Sequence, residues 1–180
     1  MENAKLLEKL LTQFAEWKKR LIEELNYPDF TTEDFMDTII SFFQDIKEGK
    51  TPKDSLMWNL KDEGMSNYFI TALKLIASGY LRWKSEEFQG FIDGEMTVDE
   101  FCKSKVDPTY VECDHLQIVA FTTALDLPVR VEYMDRNAAP TGGFHHDFPN
   151  ENSVKECENA TGDYCIRLLY RPGHYDILYK

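Results

Sequence analysis

The sequence lacks the features that take a protein into or across a membrane. Its 180 residues contain no apolar run of about 18 or more, the length that a transmembrane helix needs. Residues 1–9 mix polar and apolar side chains, without the continuous apolar stretch of a signal peptide. We therefore expect a cytoplasmic protein that makes no membrane contact, with the nucleus left open as a second compartment.

Cysteine is scarce. The four cysteines are too few and too irregularly spaced for a disulfide scaffold, so we expect thiols in a reducing compartment. No Cys-x-x-Cys occurs, and His145 and His146 have no cysteine nearby at zinc spacing, which argues against a structural zinc. The four are Cys102, Cys113, Cys157 and Cys165.

Basic residues are in the minority. Lysine and arginine number 20 against 32 aspartates and glutamates, which gives a formal net charge of −12. A partner with a phosphate backbone requires basic patches, so nucleic acid is not an expected partner. A basic protein surface would suit this charge through steering of the encounter. The alternative, that acidity only keeps the protein soluble, stays open.

What the sequence does contain, over its first two thirds, is apolar residues at helical spacing. The clearest stripe lies between residues 3 and 25, with polar residues on the other faces. Thr31, with an aspartate three residues later, has capping-box-like spacing, and Thr97, with a glutamate three residues later, has it too. Asp114 is a third predicted cap. The predicted helices cover 3–25, 31–49, 54–60, 65–83, 97–104 and 114–126.

After Pro128 the hydrophobic period changes from helical to alternating. The alternation predicts strands over 129–134 and 164–170, and a last strand over 174–179 after a Pro172-Gly173 turn. Residues 135–163, rich in Asn, Gly, Pro and Glu, are predicted to form a loop. The sequence thus predicts one α+β domain, with a helical layer followed by a C-terminal antiparallel sheet.

The last predicted strand places a histidine and a carboxylate two residues apart. Side chains at such positions share a face of the sheet, with Cα atoms about 6.5–7 Å apart, so His174 and Asp176 can form a hydrogen bond. A carboxylate on one imidazole nitrogen fixes the tautomer and stabilises the imidazolium, as in nucleophile–His–acid triads. The alternative from spacing alone is an ordinary surface pair.

Several segments resemble one known family. They are 170–179 (Tyr-Arg-Pro-Gly-His-Tyr-Asp-Ile-Leu-Tyr), 131–136 (Val-Glu-Tyr-Met-Asp-Arg), 113–118 (Cys-Asp-His-Leu-Gln-Ile) and 97–102 (Thr-Val-Asp-Glu-Phe-Cys). Together they are similar to the otubains, deubiquitinating cysteine peptidases of the wider OTU class. The helical part of the chain, including 31–43, 73–80 and 88–92, matches the family more loosely.

The resemblance implies a papain-like α+β fold over residues 1–180 and cleavage of isopeptide bonds in ubiquitin conjugates. It implies no metal and no organic cofactor. It assigns His174 as the catalytic histidine and Asp176 as the acid that orients it. The implied partners are ubiquitin and its conjugates, with a ubiquitin-conjugating enzyme as a further one.

The departure from the family is the nucleophile. In otubains a thiolate lies on Asp-Gly-x-x-Cys at the start of the central helix, where the helix dipole lowers its pKa. The only Asp-Gly of this chain is Asp93-Gly94, and no cysteine follows it at that spacing. Cys113 is the best substitute, yet Glu112 and Asp114 flank it, and we expect a buried or half-buried structural thiol there.

Two hypotheses follow from this departure. In the first, the chain is a fragment of an otubain-type ubiquitin thioesterase, truncated at its N-terminal side and inactive alone. In the second, it is a non-catalytic module that binds ubiquitin or a ubiquitin-conjugating enzyme. The sequence favours the first through its intact His174–Asp176 pair, and the second through the clean amphipathic helix at its start.

Overall fold

The computed structural model describes residues 2–134, 144–155, 165–172 and 174–178. The chain divides into two compact units, Met1–Phe121 and Thr122–Lys180. The helices are α1 (Glu2–Glu23), α2 (Asp29–Lys47), α3 (Lys53–Lys61), α4 (Glu63–Trp83), α5 (Ser85–Phe88), α6 (Val98–Phe101) and α7 (His115–Ala124), with a 3₁₀ turn at Gln89–Phe91 and a π-helical turn at Cys102–Val106. The strands are β1 (Val129–Tyr133), β2 (Phe144–Phe148), β3 (Ile166–Arg171) and β4 (His174–Ile177).

In the first unit, α1, α2 and α4 pack through the apolar stripes that the sequence predicts. Phe14, Trp17 and Leu21 of α1 are buried. Phe42 of α2 meets Phe69 of α4 edge to face, with ring centroids 5.3 Å apart. No helix in the described residues is both long enough and apolar enough to span a bilayer.

The close contact of α1 with α4 requires a glycine. A Cβ atom at Gly79 would lie 2.5 Å from Cδ2 of Leu21 and 3.4 Å from Cδ1 of Leu25. Such an approach is too short for a methyl group, so the absence of a side chain at this position lets the two helices approach.

Two of the three predicted helix caps are confirmed and one is wrong. Thr97 forms a full capping box with Glu100, and the side chain of Asp114 accepts a hydrogen bond from the amide of Gln117 at 3.1 Å. α2, however, begins before Thr31: its first helical hydrogen bond runs to the carbonyl of Pro28 at 3.0 Å. The N-cap is Pro28, an extended residue whose ring fixes φ at −61°, and the helix therefore starts at Asp29, before Thr31 is reached.

In the second unit, the described strands form one four-stranded sheet in the order β2-β1-β3-β4. β1 pairs antiparallel with β2 and β3 antiparallel with β4, but β1 and β3 are parallel. The α+β class is confirmed, whereas the prediction of a purely antiparallel sheet is wrong at its centre. Parallel neighbours need a long connection, and the segment between β1 and β3 supplies it.

β2 lies inside the segment that the sequence predicts as a loop, so that prediction is wrong for residues 144–148. Asp147, the last but one residue of the strand, is buried and receives two hydrogen bonds from Arg130 of β1, at 2.6 and 2.7 Å. The two hydrogen bonds from Arg130 compensate for the burial of the Asp147 carboxylate. In the sequence, the same charged residue interrupts the apolar pattern that would have indicated a strand. His145 and His146 therefore lie on a strand rather than in a loop. That all 180 residues form one domain stays a prediction.

Candidate functional site

The C-terminal hairpin brings the predicted histidine and acid together. In the antiparallel pairing of β3 with β4, Arg171 lies opposite His174 and Leu169 opposite Asp176. His174 and Asp176 therefore share one face, and Nε2 of His174 lies 3.0 Å from Oδ1 of Asp176. The hydrogen bond predicted from the two-residue spacing is confirmed.

The pair is open to solvent, since the side chains of His174 and Asp176 are 58% and 46% exposed. The hydrogen bond from His174 lowers the pKa of Asp176, and the guanidinium of Arg171 lowers it further. Asp176 is consequently a carboxylate at neutral pH and can stabilise a positive charge on the imidazole. Among the described residues, the hydrogen bond of the His174 ring is made by Nε2, so Nδ1 is the ring nitrogen without one.

The cysteines of the first unit are unsuited to act as nucleophiles. Cys102 is fully buried, and its burial raises the pKa of the thiol to about 11. Cys113 is an exposed residue, but desolvation of its thiol and the neighbouring Asp114 carboxylate raise the pKa of that thiol to about 12. Both are thiols rather than thiolates at neutral pH. Cys113 is exposed, so the expectation of a buried or half-buried structural thiol is wrong in its burial, while the flanking Asp114 carboxylate raises the pKa of the thiol as expected.

The other two cysteines lie near the hairpin in sequence. Cys165 directly precedes β3 and is half-buried. Cys157 lies outside the described residues. Groups of three or more histidine, cysteine, aspartate or glutamate side chains that could hold a metal ion do not occur in the described part of the chain.

A second candidate site, which the sequence reasoning missed, is a groove on α2. It has a volume of about 610 Å³ and combines four carboxylates with three large apolar side chains. We call it the α2 groove; its lining is Phe30, Glu33, Asp34, Asp37, Thr38, Ser41, Phe42, Asp45 and Met65. The signal in the sequence is the recurrence of acidic residues every three or four positions along one side of α2.

The charges of the α2 groove are only partly neutralised. Lys18 of α1 forms ion pairs with Asp37 at 2.8 Å and with Glu33 at 4.0 Å, and Lys50 forms one with Asp45 at 3.4 Å. The hydroxyl of Tyr68 donates to Asp34 at 2.9 Å, so two lysines face four carboxylates. Phe30, at the edge, is 86% exposed. An acidic rim beside an exposed aromatic ring is an arrangement suited to a basic partner with an apolar contact.

Known proteins resemble this chain along nearly its full length. Ubiquitin thioesterase otubain-like of Caenorhabditis elegans is 40% identical over 174 residues, which cover 97% of this chain and 58% of that relative. Ubiquitin thioesterase OTUB1 of Homo sapiens is 37% identical over 180 residues, covering 100% of this chain and 62% of that relative. The chain thus spans about three fifths of the length of these relatives.

Solved structures agree with the sequence relatives. A ceOTUB1 complex with ubiquitin aldehyde and UBC13~Ub matches with a TM-score of 0.87 at 39% identity, over 98% of this chain and 68% of that chain. An h/ceOTUB1 complex with ubiquitin aldehyde and UBCH5B~Ub matches with a TM-score of 0.85 at 40% identity, over 96% and 64%. The family model described as Peptidase C65 Otubain matches residues 1–180. The family predicted from the sequence is confirmed: this chain belongs to the otubains.

Proposed function

We propose that this chain provides the histidine and the acid of an otubain-type site that removes ubiquitin from its conjugates. The observation that carries the proposal is the 3.0 Å contact between Nε2 of His174 and Oδ1 of Asp176, in a chain of the otubain family. An oriented imidazole with an ionised carboxylate behind it is the proton-transfer part of such a site.

In the proposed reaction His174 acts first as a base and then as an acid. Nδ1 takes the proton of a thiol, the thiolate attacks the isopeptide carbonyl, and the imidazolium gives the proton to the departing lysine amine. Water then attacks the resulting thioester, and its proton passes through His174 to the leaving thiolate as the ubiquitin carboxylate is released. Asp176 holds the imidazolium through Nε2 in both stages.

The thiol of this reaction has no counterpart in the sequence of this chain, which lacks Asp-Gly-x-x-Cys. The raised pKa values of Cys102 and Cys113 make both of them poor substitutes. We therefore expect the chain by itself neither to cleave diubiquitin nor to react with a ubiquitin suicide probe. The proposed partner of the His–Asp pair is a segment that bears the family motif.

The proposal is tested by fusing an otubain segment with Asp-Gly-x-x-Cys ahead of residue 1. We expect the fusion to cleave diubiquitin, and His174→Ala within it to slow cleavage by about 1000-fold or more. A fusion with Ser in place of the motif cysteine is the matched control. Equal cleavage with and without His174, in folded proteins, would contradict the role assigned to that residue.

A second, non-catalytic function is favoured by the α2 groove. Relatives form complexes with the ubiquitin-conjugating enzymes UBC13 and UBCH5B carrying ubiquitin. The groove of this chain offers four carboxylates and the exposed ring of Phe30 to such a partner. We propose that a ubiquitin-conjugating enzyme binds there, a function that requires no nucleophile and is independent of the His–Asp pair.

A further inference from the structure

The carboxylate of Asp176 is held at both of its oxygens. His174 contacts Oδ1 at 3.0 Å, and Nη2 of Arg171 donates to Oδ2 at 2.7 Å. A carboxylate with one partner can turn about its side-chain torsions, whereas two partners on different oxygens fix the plane of the group. The orientation that serves His174 therefore depends on Arg171 as well.

The hairpin explains why Arg171 reaches this position. Arg171 lies directly opposite His174 in the antiparallel pairing, so the two share a face of the sheet. Asp176 is two residues beyond His174 and is thus the diagonal neighbour of Arg171. Diagonal neighbours are about 7–8 Å apart, a distance that only a long side chain can bridge.

The exposure of the pair makes this support necessary. An ion pair or hydrogen bond between exposed side chains contributes little to stability and is easily replaced by hydrogen bonds to water. Asp176 is 46% exposed, and the side chain of Arg171 is itself 50% exposed. With a single partner, the carboxylate would spend much of its time turned toward solvent and away from Nε2.

We propose that Arg171 is a positioning residue, which acts through Asp176 to hold the carboxylate against Nε2 of His174. The inference rests on the proposed function only for its consequence in catalysis. Among the described residues, the side chain of Arg171 donates to Asp176 and not to His174. Its loss should uncouple His174 from Asp176 without removing either.

The test measures this coupling by NMR of the His174 imidazole nitrogens in the isotope-labelled chain, at one fixed pH. Asp176→Asn is expected to change the chemical shift of Nε2, because it removes the carboxylate that Nε2 contacts at 3.0 Å. In the Arg171→Met background the same Asp176→Asn change should alter that chemical shift by about half as much or less. The side chains of Glu132 and His145, in the same row of the sheet face as Asp176, are unchanged in all four proteins, so their contributions cancel.

Two further variants keep the test specific. Arg171→Lys keeps a cation that can donate one hydrogen bond, and is expected to restore most of the coupling. Lys19→Met removes an exposed cation of α1 that pairs with Glu23 at 3.8 Å, and should leave the coupling unchanged. Amide spectra check that each variant is folded, and Arg171→Gln replaces Arg171→Met if the latter is not.

An undiminished effect of Asp176→Asn in the folded Arg171→Met or Arg171→Gln chain would overturn the proposal. Because the NMR measurement uses neither ubiquitin nor a thiol, its outcome is separate from that of the fusion experiment. A chain with a coupled His174 that gives an inactive fusion would reject the deubiquitinating function and leave the role of Arg171 standing.

Discussion

The Asp176 carboxyl and the thiols of Cys102 and Cys113 have opposite tendencies at neutral pH. Asp176, whose pKa is lowered by its hydrogen bonds with His174 and Arg171, is ionised. Cys102 and Cys113 have raised pKa values and remain protonated. Proton-transfer chemistry is therefore supported residue by residue, while nucleophilic chemistry is not supported at either of these cysteines.

Cys113 gives a direct prediction. With a pKa of about 12, its thiolate fraction stays very small at pH 7.5 and grows only as the pH rises toward that value. We expect iodoacetamide to alkylate Cys113 at least about 100-fold more slowly than free cysteine, because only the thiolate attacks. Mass spectrometry of the labelled peptides measures the rate.

The unfolded chain in denaturant is the matched control, since the surroundings of Cys113 are then lost and its reaction should reach the ordinary rate. Alkylation of the folded chain as fast as free cysteine would show an activated thiol. Cys113 would then return as a candidate nucleophile.

At the scale of the elements, hydrophobic periodicity in the sequence predicts the helices and strands that are formed by contacts between residues close in sequence. The stripes of α1, α2 and α4 and the alternation of β1 and β3 predict those elements, because burial on one face repeats with the period of the backbone. The β2 strand is missed because the partner of its buried polar residue, Asp147, is Arg130 on a neighbouring strand, 17 residues away in sequence. The parallel pairing of β1 with β3 is missed for the same reason, since it joins residues far apart in sequence.

The cap of α6 gives a prediction about stability. Thr97→Ala removes the side-chain acceptor of the capping box, which binds the Glu100 amide at 3.2 Å. We expect the free energy of unfolding to fall by about 1 kcal/mol. Thr31→Ala is the matched control and should change it by less than about 0.5 kcal/mol, because Thr31 is exposed and lies inside α2 rather than at its cap. Urea unfolding distinguishes the two, and equal losses would refute the assigned caps.

Gly79, where α4 contacts α1, gives a second prediction about stability. Gly79→Ala places a methyl group against Leu21, which must move, and we expect a loss of about 1–3 kcal/mol. Gly90→Ala is the control, since a Cβ there meets no atom within 4 Å. If both alanine variants unfold at the same urea concentration as the parent chain, the close packing of these helices is wrong.

For the whole molecule, the dominant property is its net charge of −12. Such a charge accelerates the encounter with a basic protein, and this electrostatic attraction weakens as salt is added. The α2 groove concentrates four of the carboxylates beside Phe30, so long-range attraction and a short-range apolar contact would act at one place. The composition predicts the first effect, and only the structure locates the second.

Binding of a ubiquitin-conjugating enzyme tests this arrangement. We expect Phe30→Ala to weaken the binding of UBC13 carrying ubiquitin by about 10-fold, because an exposed aromatic ring is a common anchor of interfaces. Phe91→Ala removes another exposed phenylalanine, one outside the groove lining, and should leave affinity unchanged. Calorimetry at low and high salt should also show weaker binding at high salt. Unchanged affinity in the Phe30 variant would reject the groove as the binding site.

The C-terminal hairpin has a consequence for how such a site can arise. Arg171, His174 and Asp176 lie within six consecutive residues, so their mutual geometry is set by one turn and one register. Contacts this local form early and cost little chain entropy. The hairpin can therefore keep the arrangement of these three side chains whether or not a nucleophilic thiol lies nearby. A thiol placed beside it would contact a histidine that is already oriented.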